Sequence, residues 1–216
     1  MGIPRNGGSQ MKRPILMFAA ALCLLALTTN ASPSSAANLL TNGDFESGVL
    51  APWAGVGGLG PNSTITVQTP ANGPSLPGLY SAFLDNRAEA NGLTMAQTTP
   101  NGTAVPGTVF YSFDLKLGTA ANGGVFFVEI FAQNAVGAVI GSAGLLGNYT
   151  PANWTSYSGS FVAPANTDHL TIQFEAPTGA VIGSVSSMSV DNVNLNQGAL
   201  TTTGSTTWGR IKSLNQ

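Results

Sequence analysis

The sequence has 216 residues, of which only 7% are charged, and its formal net charge is −2. Nucleic acids and anionic membrane surfaces are bound by clustered positive charge, so this composition argues against both as partners. Glycine, asparagine, serine and threonine are abundant instead. Such a neutral polar surface suits neutral partners, and among extracellular polymers these are the polysaccharides.

The first residues predict a secretory signal peptide rather than folded structure. Three basic residues precede an apolar run over residues 15–27, and small residues follow that run. We assign residues 1–37 to the signal, with cleavage after Ala31 or Ala37. The apolar run is short for a membrane span, and no second candidate follows it. The protein is therefore predicted to be secreted, either extracellular or at the cell surface, and monomeric.

Removal of the signal leaves enough sequence for one domain, with four basic and nine acidic residues and hence a net charge of −5. The one cysteine, Cys23, lies inside the signal. The mature chain is thus predicted to contain no disulfide despite its oxidising destination. Its stability must come from a hydrophobic core, with or without help from a metal ion.

Short strand-like runs follow the signal at intervals of about a dozen residues, with glycine, proline and asparagine between them. No window carries the 3.6-residue apolar period of a helix. Short strands without intervening helices predict an all-β sandwich or barrel. The predicted strands are Thr64–Gln68, Leu79–Asn86, Leu93–Thr98, Thr108–Leu117, Val125–Gln133, Ala138–Leu146, Trp154–Val162, His169–Ala176 and Met188–Leu195.

Alternation along the clearest strands predicts which side chains face the core, because successive residues point to opposite faces. The predicted inner residues are Tyr111, Phe113, Leu115 and Leu117 in one strand, Phe126, Val128 and Ile130 in the next, and Leu170, Ile172 and Phe174 in a later one. The predicted outer residues are Phe127, Glu129, Phe131 and Gln133 in the second of these strands, and Thr171, Gln173 and Glu175 in the third.

An outer face that combines two phenylalanines with carboxylates and amides has the chemistry of a carbohydrate-binding site. Flat rings stack on the C–H faces of pyranose units, while fixed amides and carboxylates hydrogen-bond the hydroxyl groups. The alternative is that a loop covers Phe127 and Phe131 and that both rings extend the core. We prefer the binding interpretation, because bare aromatic surface is seldom kept without a function.

Two motifs near the chain ends point to a family. Asn38–Gly48, with Trp53 close behind, and Ser189–Leu195 resemble the opening and closing strands of a family 4/9-type carbohydrate-binding module. The resemblance implies a jelly-roll sandwich of two antiparallel sheets over residues 38–196. It also implies that Gln173 occupies the position of a sugar-binding glutamine, and that Gln97 stands at a second amide position.

The same resemblance implies a structural calcium ion away from the binding face. Its ligands would be main-chain oxygens of the segment around Asp44 and Glu46, the main chain of Gly78, and the Asp191 carboxylate. Hard oxygen ligands suit Ca²⁺, and such a site would tie the first strand to the last. The alternative is that backbone N–H groups cap Glu46 and Asp191 without any metal.

The segment after Trp53 departs from the family, because it contains no second aromatic ring. Trp53 itself is expected to pack beneath the sandwich rather than to contact sugar. At the other end, residues 197–216 form a Gly/Thr-rich linker and a short tail that contains Trp208. That tail is either loose or a sorting or docking peptide.

The predicted function is non-catalytic binding of a neutral polysaccharide. One alternative is a structural or adhesive jelly-roll protein that does not bind sugar. A second is a glycoside hydrolase that uses Glu129 and Glu175, since such enzymes need two carboxyl groups facing one cleft. The Glu-x-Asp-x-x-Glu strand signature of jelly-roll glucanases is missing, however. We therefore do not expect an enzyme.

Overall fold

The computed structural model describes residues 37–69, 78–146 and 152–198, and within these ranges it contains ten strands and no helix. The predicted signal peptide and the tail beyond residue 198 lie outside the described residues. The strands are β1 (Ala54–Gly57), β2 (Ser63–Gln68), β3 (Ser81–Asn86), β4 (Gly92–Thr98), β5 (Gly107–Ala121), β6 (Phe127–Gln133), β7 (Val139–Leu146), β8 (Thr155–Ala163), β9 (His169–Pro177) and β10 (Val185–Asn196).

The strands form two five-stranded sheets in which all paired neighbours are antiparallel. The first sheet has the order β1-β4-β9-β6-β7, and the second has the order β2-β3-β10-β5-β8. The predicted all-β jelly-roll sandwich is confirmed. Strand β1 was not predicted, because the sequence Ala-Gly-Val-Gly lacks the run of β-branched and aromatic residues that usually indicates a strand.

The hydrophobic core lies between the inner faces of the two sheets, and the alternation predicted from the sequence is confirmed. Tyr111 is partly buried and packs against the core, while the other predicted inner residues are buried. The largest fully buried side chains are Phe45, Phe113, Phe174, Leu84, Leu93, Met95, Leu115, Ile130, Leu170, Ile172, Met188 and Leu195. Burial of this apolar surface supplies the main stabilising term for a domain of this kind.

Trp53 belongs to this core, as expected. It is only 3% exposed, and its ring centroid lies 5.6 Å from that of Phe45 and 6.0 Å from that of Phe174. Its indole Nε1 donates a hydrogen bond of 3.0 Å to the main-chain oxygen of Asn42. The ring therefore anchors the N-terminal segment to the sandwich and is not available to contact a ligand.

The Asn38–Gly48 motif forms turns rather than the expected opening strand, but it does lie beside the closing strand. The Leu39 N–H donates to Leu195 O at 2.7 Å, and the Val193 N–H donates to Gly43 O at 2.8 Å. A Cβ atom on Gly43 would lie 2.1 Å from Val193 O, so a larger residue could not approach β10 this closely. The two ends of the domain are thus neighbours, as predicted.

Within the described ranges, no helix is both long and apolar enough to cross a membrane.

Replacement of Asn38 by alanine should destabilise the fold, because one side chain connects both ends of the domain. Asn38 Oδ1 accepts hydrogen bonds from the N–H groups of Leu40 and Leu195, and Nδ2 donates to Val193 O. Loss of these bonds leaves partly buried backbone groups unpaired, and we expect a decrease of about 1–3 kcal/mol in the free energy of unfolding. Urea unfolding should show this loss for Asn38→Ala. The exposed-turn variant Asn101→Ala is the control, and equal stability of the two variants would contradict the assignment.

Candidate functional site

The centre of the first sheet brings together the outer side chains of β6 and β9. The antiparallel register places Phe127 opposite Glu175, Glu129 opposite Gln173, and Phe131 opposite Thr171. Directly opposed side chains in such a pair lie about 5 Å apart at Cβ and can contact one another. The β6 and β9 residues predicted for the site therefore share one surface, which we call the outer face of the first sheet.

A three-residue hydrogen-bonded group occupies the middle of this face. Gln173 Nε2 donates to Glu129 Oε2 at 2.6 Å, and it also donates to Glu175 Oε1. One amide nitrogen thus holds two carboxylates from adjacent strands. The rest of each side chain remains partly exposed, which leaves oxygen atoms able to accept hydrogen bonds from a ligand.

The pKa of the Glu175 carboxyl group is raised above its usual value. Burial is the largest cause, followed by the hydrogen bond with Glu129 and by the negative charge of Glu129, while the Gln173 hydrogen bond acts in the opposite direction. The two carboxylates are close enough to repel each other when both are ionised. A ligand group that donates hydrogen bonds or carries positive charge would relieve that repulsion.

Phe127 and Phe131 flank Glu129 on β6 and point away from the core. The residues between them on the inner side, Val128 and Ile130, are fully buried, whereas both phenylalanines are only partly buried. Neither ring belongs to the core. The alternative that both rings extend the core therefore does not fit their position. Both retain apolar surface on the solvent side of the sheet.

Gln133 also lies on the outer face, but its amide is engaged within the protein. Its Oε1 accepts a hydrogen bond of 2.5 Å from the Thr171 hydroxyl, and its Nε2 donates to Gly137 O at 3.1 Å. Thr171 and Thr98 form a further hydroxyl pair at 2.8 Å. Sequence reasoning did not assign a role to either threonine. Thr171 was predicted to face outward, and the register of β4, β9 and β6 shows that Thr98 lies beside it.

Gln97 does not lie on this face, and the prediction that it contributes to the site was wrong. It pairs with Ile172, an inward residue of β9, and it is only 6% exposed. Both ends of its amide bind the main chain of Thr41: Oε1 accepts from the N–H at 2.8 Å, and Nε2 donates to the carbonyl at 2.9 Å. The amide satisfies backbone groups of the N-terminal segment instead.

The residues predicted to hold calcium lie near the end of β10. Asp191 is only 1% exposed, and its Oδ1 accepts a hydrogen bond of 2.7 Å from the Asn192 N–H. Burial, with smaller contributions from the charges of Asp114, Glu46 and Asp44, raises the pKa of Asp191 to about 8. The charges of three other acidic residues therefore act on one buried carboxyl group.

Glu46 and Gly78 also come to this region. Glu46 Oε1 accepts hydrogen bonds from the N–H groups of Leu79 at 2.8 Å and Tyr80 at 3.4 Å. The Glu46 side chain thus caps the segment that follows Gly78, as the metal-free alternative expected. The capping bonds use the Glu46 side chain, whereas the resemblance implies that main-chain oxygens of its segment bind calcium. The two roles are therefore compatible.

One buried oxygen, which the sequence did not indicate, fits a cation here. Extending the register of β10 and β3 by one residue places Ser81 opposite Asp191. The Ser81 hydroxyl is buried and has no hydrogen-bond partner. No group of three or more acidic, histidine or cysteine side chains able to hold a metal exists among the described residues. The donors would therefore be one carboxylate, one hydroxyl and main-chain oxygens, which are ligand types that Ca²⁺ accepts.

Comparison with solved structures supports the β-sandwich assignment. The xylan-binding CBM22-1 domain from Paenibacillus barcinonensis Xyn10C aligns with a TM-score of 0.50 and 15% identity over 76% of this chain and 98% of that one. TmCBM61, solved in complex with β-1,4-galactotriose, aligns with a TM-score of 0.50 and 16% identity over 75% and 99% of the two chains. The enzymatically active domain of bacteriophage CBA120 tailspike protein 4 gives a TM-score of 0.58 and 15% identity.

These matches establish a shared fold and nothing finer. The tailspike alignment covers 74% of this chain but only 21% of that one, so this chain spans about a fifth of the tailspike domain. No protein-family model and no curated protein matches the sequence. The fold is that of β-sandwich carbohydrate-binding modules, while the closer resemblance to family 4/9 stays a prediction.

Replacement of Glu129 by glutamine should lower the pKa of Glu175. The substitution removes the charge of Glu129 and changes its hydrogen bond, while the burial of Glu175 remains. In the wild type, the raised pKa of Glu175 stabilises the folded state. This contribution is complete below the unfolded pKa of about 4.3 and is lost as the pH rises through the folded pKa. NMR titration of the side-chain carboxyl signals measures the shift. Exposed Glu89→Gln serves as the control, and an unchanged Glu175 titration in Glu129→Gln would contradict the coupling.

Proposed function

We propose that this protein is a secreted, non-catalytic polysaccharide-binding protein and that the outer face of the first sheet binds the glycan. The observation that carries the proposal is the cluster on β6 and β9, where Gln173 joins Glu129 and Glu175 between Phe127 and Phe131. Rings and fixed polar groups on one open surface are what sugar recognition requires, since sugars offer both apolar C–H faces and hydroxyl groups.

The fold comparisons agree with this assignment without extending it. Two domains of the same architecture are covered almost completely by the alignment. The CBM22-1 domain is xylan-binding, and TmCBM61 was solved in complex with β-1,4-galactotriose. A fold alone does not define a function, so the proposal depends on the surface chemistry of this chain. The scarcity of charge in the sequence as a whole favours a glycan that is largely neutral.

The geometry of the two carboxylates favours binding over hydrolysis. A glycoside hydrolase places its carboxyl groups about 5 to 10 Å apart, with the scissile bond between them. Here both groups bind the same nitrogen atom of Gln173, at 2.6 Å in the case of Glu129. The shared donor atom keeps the two carboxyl groups at or below the short end of that range. Glu129 and Glu175 are better suited to accept hydrogen bonds from hydroxyl groups.

Replacement of Phe131 by alanine should weaken glycan binding by about 1–3 kcal/mol, the range for loss of an aromatic contact of this kind. Stability should change little, because the ring lies outside the core. Affinity electrophoresis against soluble glucans, xylans and mannans measures retention, and hydrolysis assayed in parallel tests the enzymatic alternative.

Phe83→Ala is the matched control. Phe83 is also a partly buried phenylalanine between buried inward residues, but it lies on the outer side of the second sheet, opposite Ser189 and Thr66. Equal loss of binding in both variants would place the site elsewhere. If no glycan retains the wild-type protein, the structural or adhesive alternative is favoured.

We further propose that Ca²⁺ binds at Asp191, with the Ser81 hydroxyl and main-chain oxygens near Asp44, Glu46 and Gly78 as the remaining donors. The ion would supply positive charge to a buried carboxylate that has only one hydrogen bond from a neighbouring N–H. It would also link β10 to the N-terminal segment, which helps a chain predicted to lack disulfides. The support is the buried Ser81 hydroxyl without a hydrogen-bond partner, on the residue that the extended register of β3 and β10 places opposite the buried Asp191.

Calcium should raise the melting temperature at pH 8 and should have little effect at pH 5. Because the pKa of Asp191 is raised to about 8, the metal-free fold prefers the protonated acid. Its stabilising contribution is complete below the unfolded pKa of about 4 and is lost as the pH rises through about 8. A hundredfold excess of Ca²⁺ over Kd would add about 2.7 kcal/mol.

Thermal unfolding in EDTA and in excess Ca²⁺ tests this effect, with Asp191→Asn as the variant and Asp85→Asn as the acidic control. Asp191→Asn should abolish the response to calcium, and in EDTA at pH 8 it should be at least as stable as the wild type. Superimposable wild-type melting curves at pH 8 would leave backbone capping as the whole role of these acids.

A further inference from the structure

The outer face of the first sheet is acidic, although the sequence as a whole has little charge. Glu129 and Glu175 lie side by side there. Only two lysine or arginine side chains occur in the described ranges, and neither lies in the first sheet. Arg87 follows β3 and pairs with Asp85 at 2.9 Å, and Lys116 points outward from β5, opposite Ser189. No basic side chain of the described chain therefore neutralises the two carboxylates.

The aromatic rings beside these carboxylates have the same electrostatic preference. Phe127 and Phe131 stand two residues before and two residues after Glu129 on β6, so each Cα is about 7 Å from that of Glu129. The face of an aromatic ring carries partial negative charge and attracts an ammonium group. Rings and carboxylates are unrelated chemical groups, yet both favour a cation at this position.

We propose that the glycan bound at this face carries protonated primary amines, as in a polymer that contains glucosamine units. The ammonium group of one sugar would donate hydrogen bonds to Glu129 and Glu175, and the pyranose units on either side would stack on Phe127 and Phe131. This inference rests on the proposed polysaccharide-binding function and names its ligand class. A polymer with occasional amines on an otherwise neutral backbone satisfies both the sparse overall charge and the local acidic pair.

An ammonium group fits this face better than a metal ion does. It presents three hydrogen-bond donors in a compact group, and the Gln173 amide already demonstrates that one nitrogen donor can reach both carboxylates. A divalent metal needs more oxygen ligands, and the described residues contain no group of three or more acidic, histidine or cysteine side chains that could hold one. The like-charge repulsion that contributes to the raised pKa of Glu175 also decreases when a cation binds.

The test compares three β-1,4-linked oligosaccharides of equal length that differ only at carbon 2. One has an amine at that position, one has an acetamide and one has a hydroxyl group. Isothermal titration calorimetry of the wild-type protein at pH 6 should show at least about tenfold tighter binding of the amine form, because hydrogen bonds to charged groups are the stronger ones. This preference should decrease as salt is added.

Glu129→Gln and Glu175→Gln should each weaken binding of the amine form far more than binding of the hydroxyl form, so that most of the preference is lost. Both substitutions keep side-chain size and one acceptor oxygen but remove the charge and replace the other oxygen by a donor. Glu89→Gln removes the same charge from an exposed loop position and should bind like the wild type. Melting curves identify any variant that fails to fold. If either Glu129→Gln or Glu175→Gln does not fold, the other variant decides whether the preference depends on the carboxylates.

The outcomes separate the two proposals. If the wild type binds the hydroxyl or acetamide form as tightly as the amine form, the inference is wrong while polysaccharide binding stands. If no oligosaccharide binds and Phe131→Ala has no effect on retention by any polymer, the proposed function fails as well. If polylysine of equal charge competes as strongly as the amine-bearing oligosaccharide, the face is a general cation-binding surface and the sugar assignment is overturned.

Discussion

Strands β6 and β9 are each pleated, so every second side chain is committed to the core and the rest must face solvent. On the inner side, Val128, Ile130, Ile172 and Phe174 are fully buried between the sheets. A slip of one residue in either strand would exchange the two faces and expose this apolar surface. The packing of the core therefore fixes the register, and the register in turn places Gln173 opposite Glu129. The candidate site is a consequence of how the core is packed.

The outer face shows how a chain with few charges can still carry a strongly polar site. Glu129 and Glu175 account for two of the nine acidic residues, and a single amide holds both. Such an arrangement has an electrostatic cost in the absence of a ligand, as the raised pKa of Glu175 indicates. Burial likewise raises the pKa of Asp191. The extended register of β3 and β10 places Asp191 opposite Ser81, whose buried hydroxyl has no hydrogen-bond partner. The two places lie on different sheets, and each has a shortage of positive charge.

Much of the fold could be predicted from the sequence, because alternation is a local property. The inner sides of β5, β6 and β9 follow from patterns of seven or eight residues. Strand β1 escaped prediction because its glycines give no periodic signal. Gln97 was assigned to the site from the family resemblance, although it shares the inward side of β4 with the buried Leu93 and Met95. Only the position of Thr41 shows why a polar group is buried there. The position of Ser81 opposite Asp191, and the contacts of Thr171 with Thr98 and Gln133, needed the register between strands, which no single strand contains.

The most direct test of the account is to locate the ligand on the folded protein. Backbone amide signals of the isotope-labelled protein can be followed by NMR while the amine, acetamide and hydroxyl oligosaccharides are added in turn. We expect the largest shifts on residues 127–133 and 171–175, in the two strands that form the candidate site. Shifts concentrated on β5 and β8 of the second sheet, or no shifts with any oligosaccharide, would contradict it.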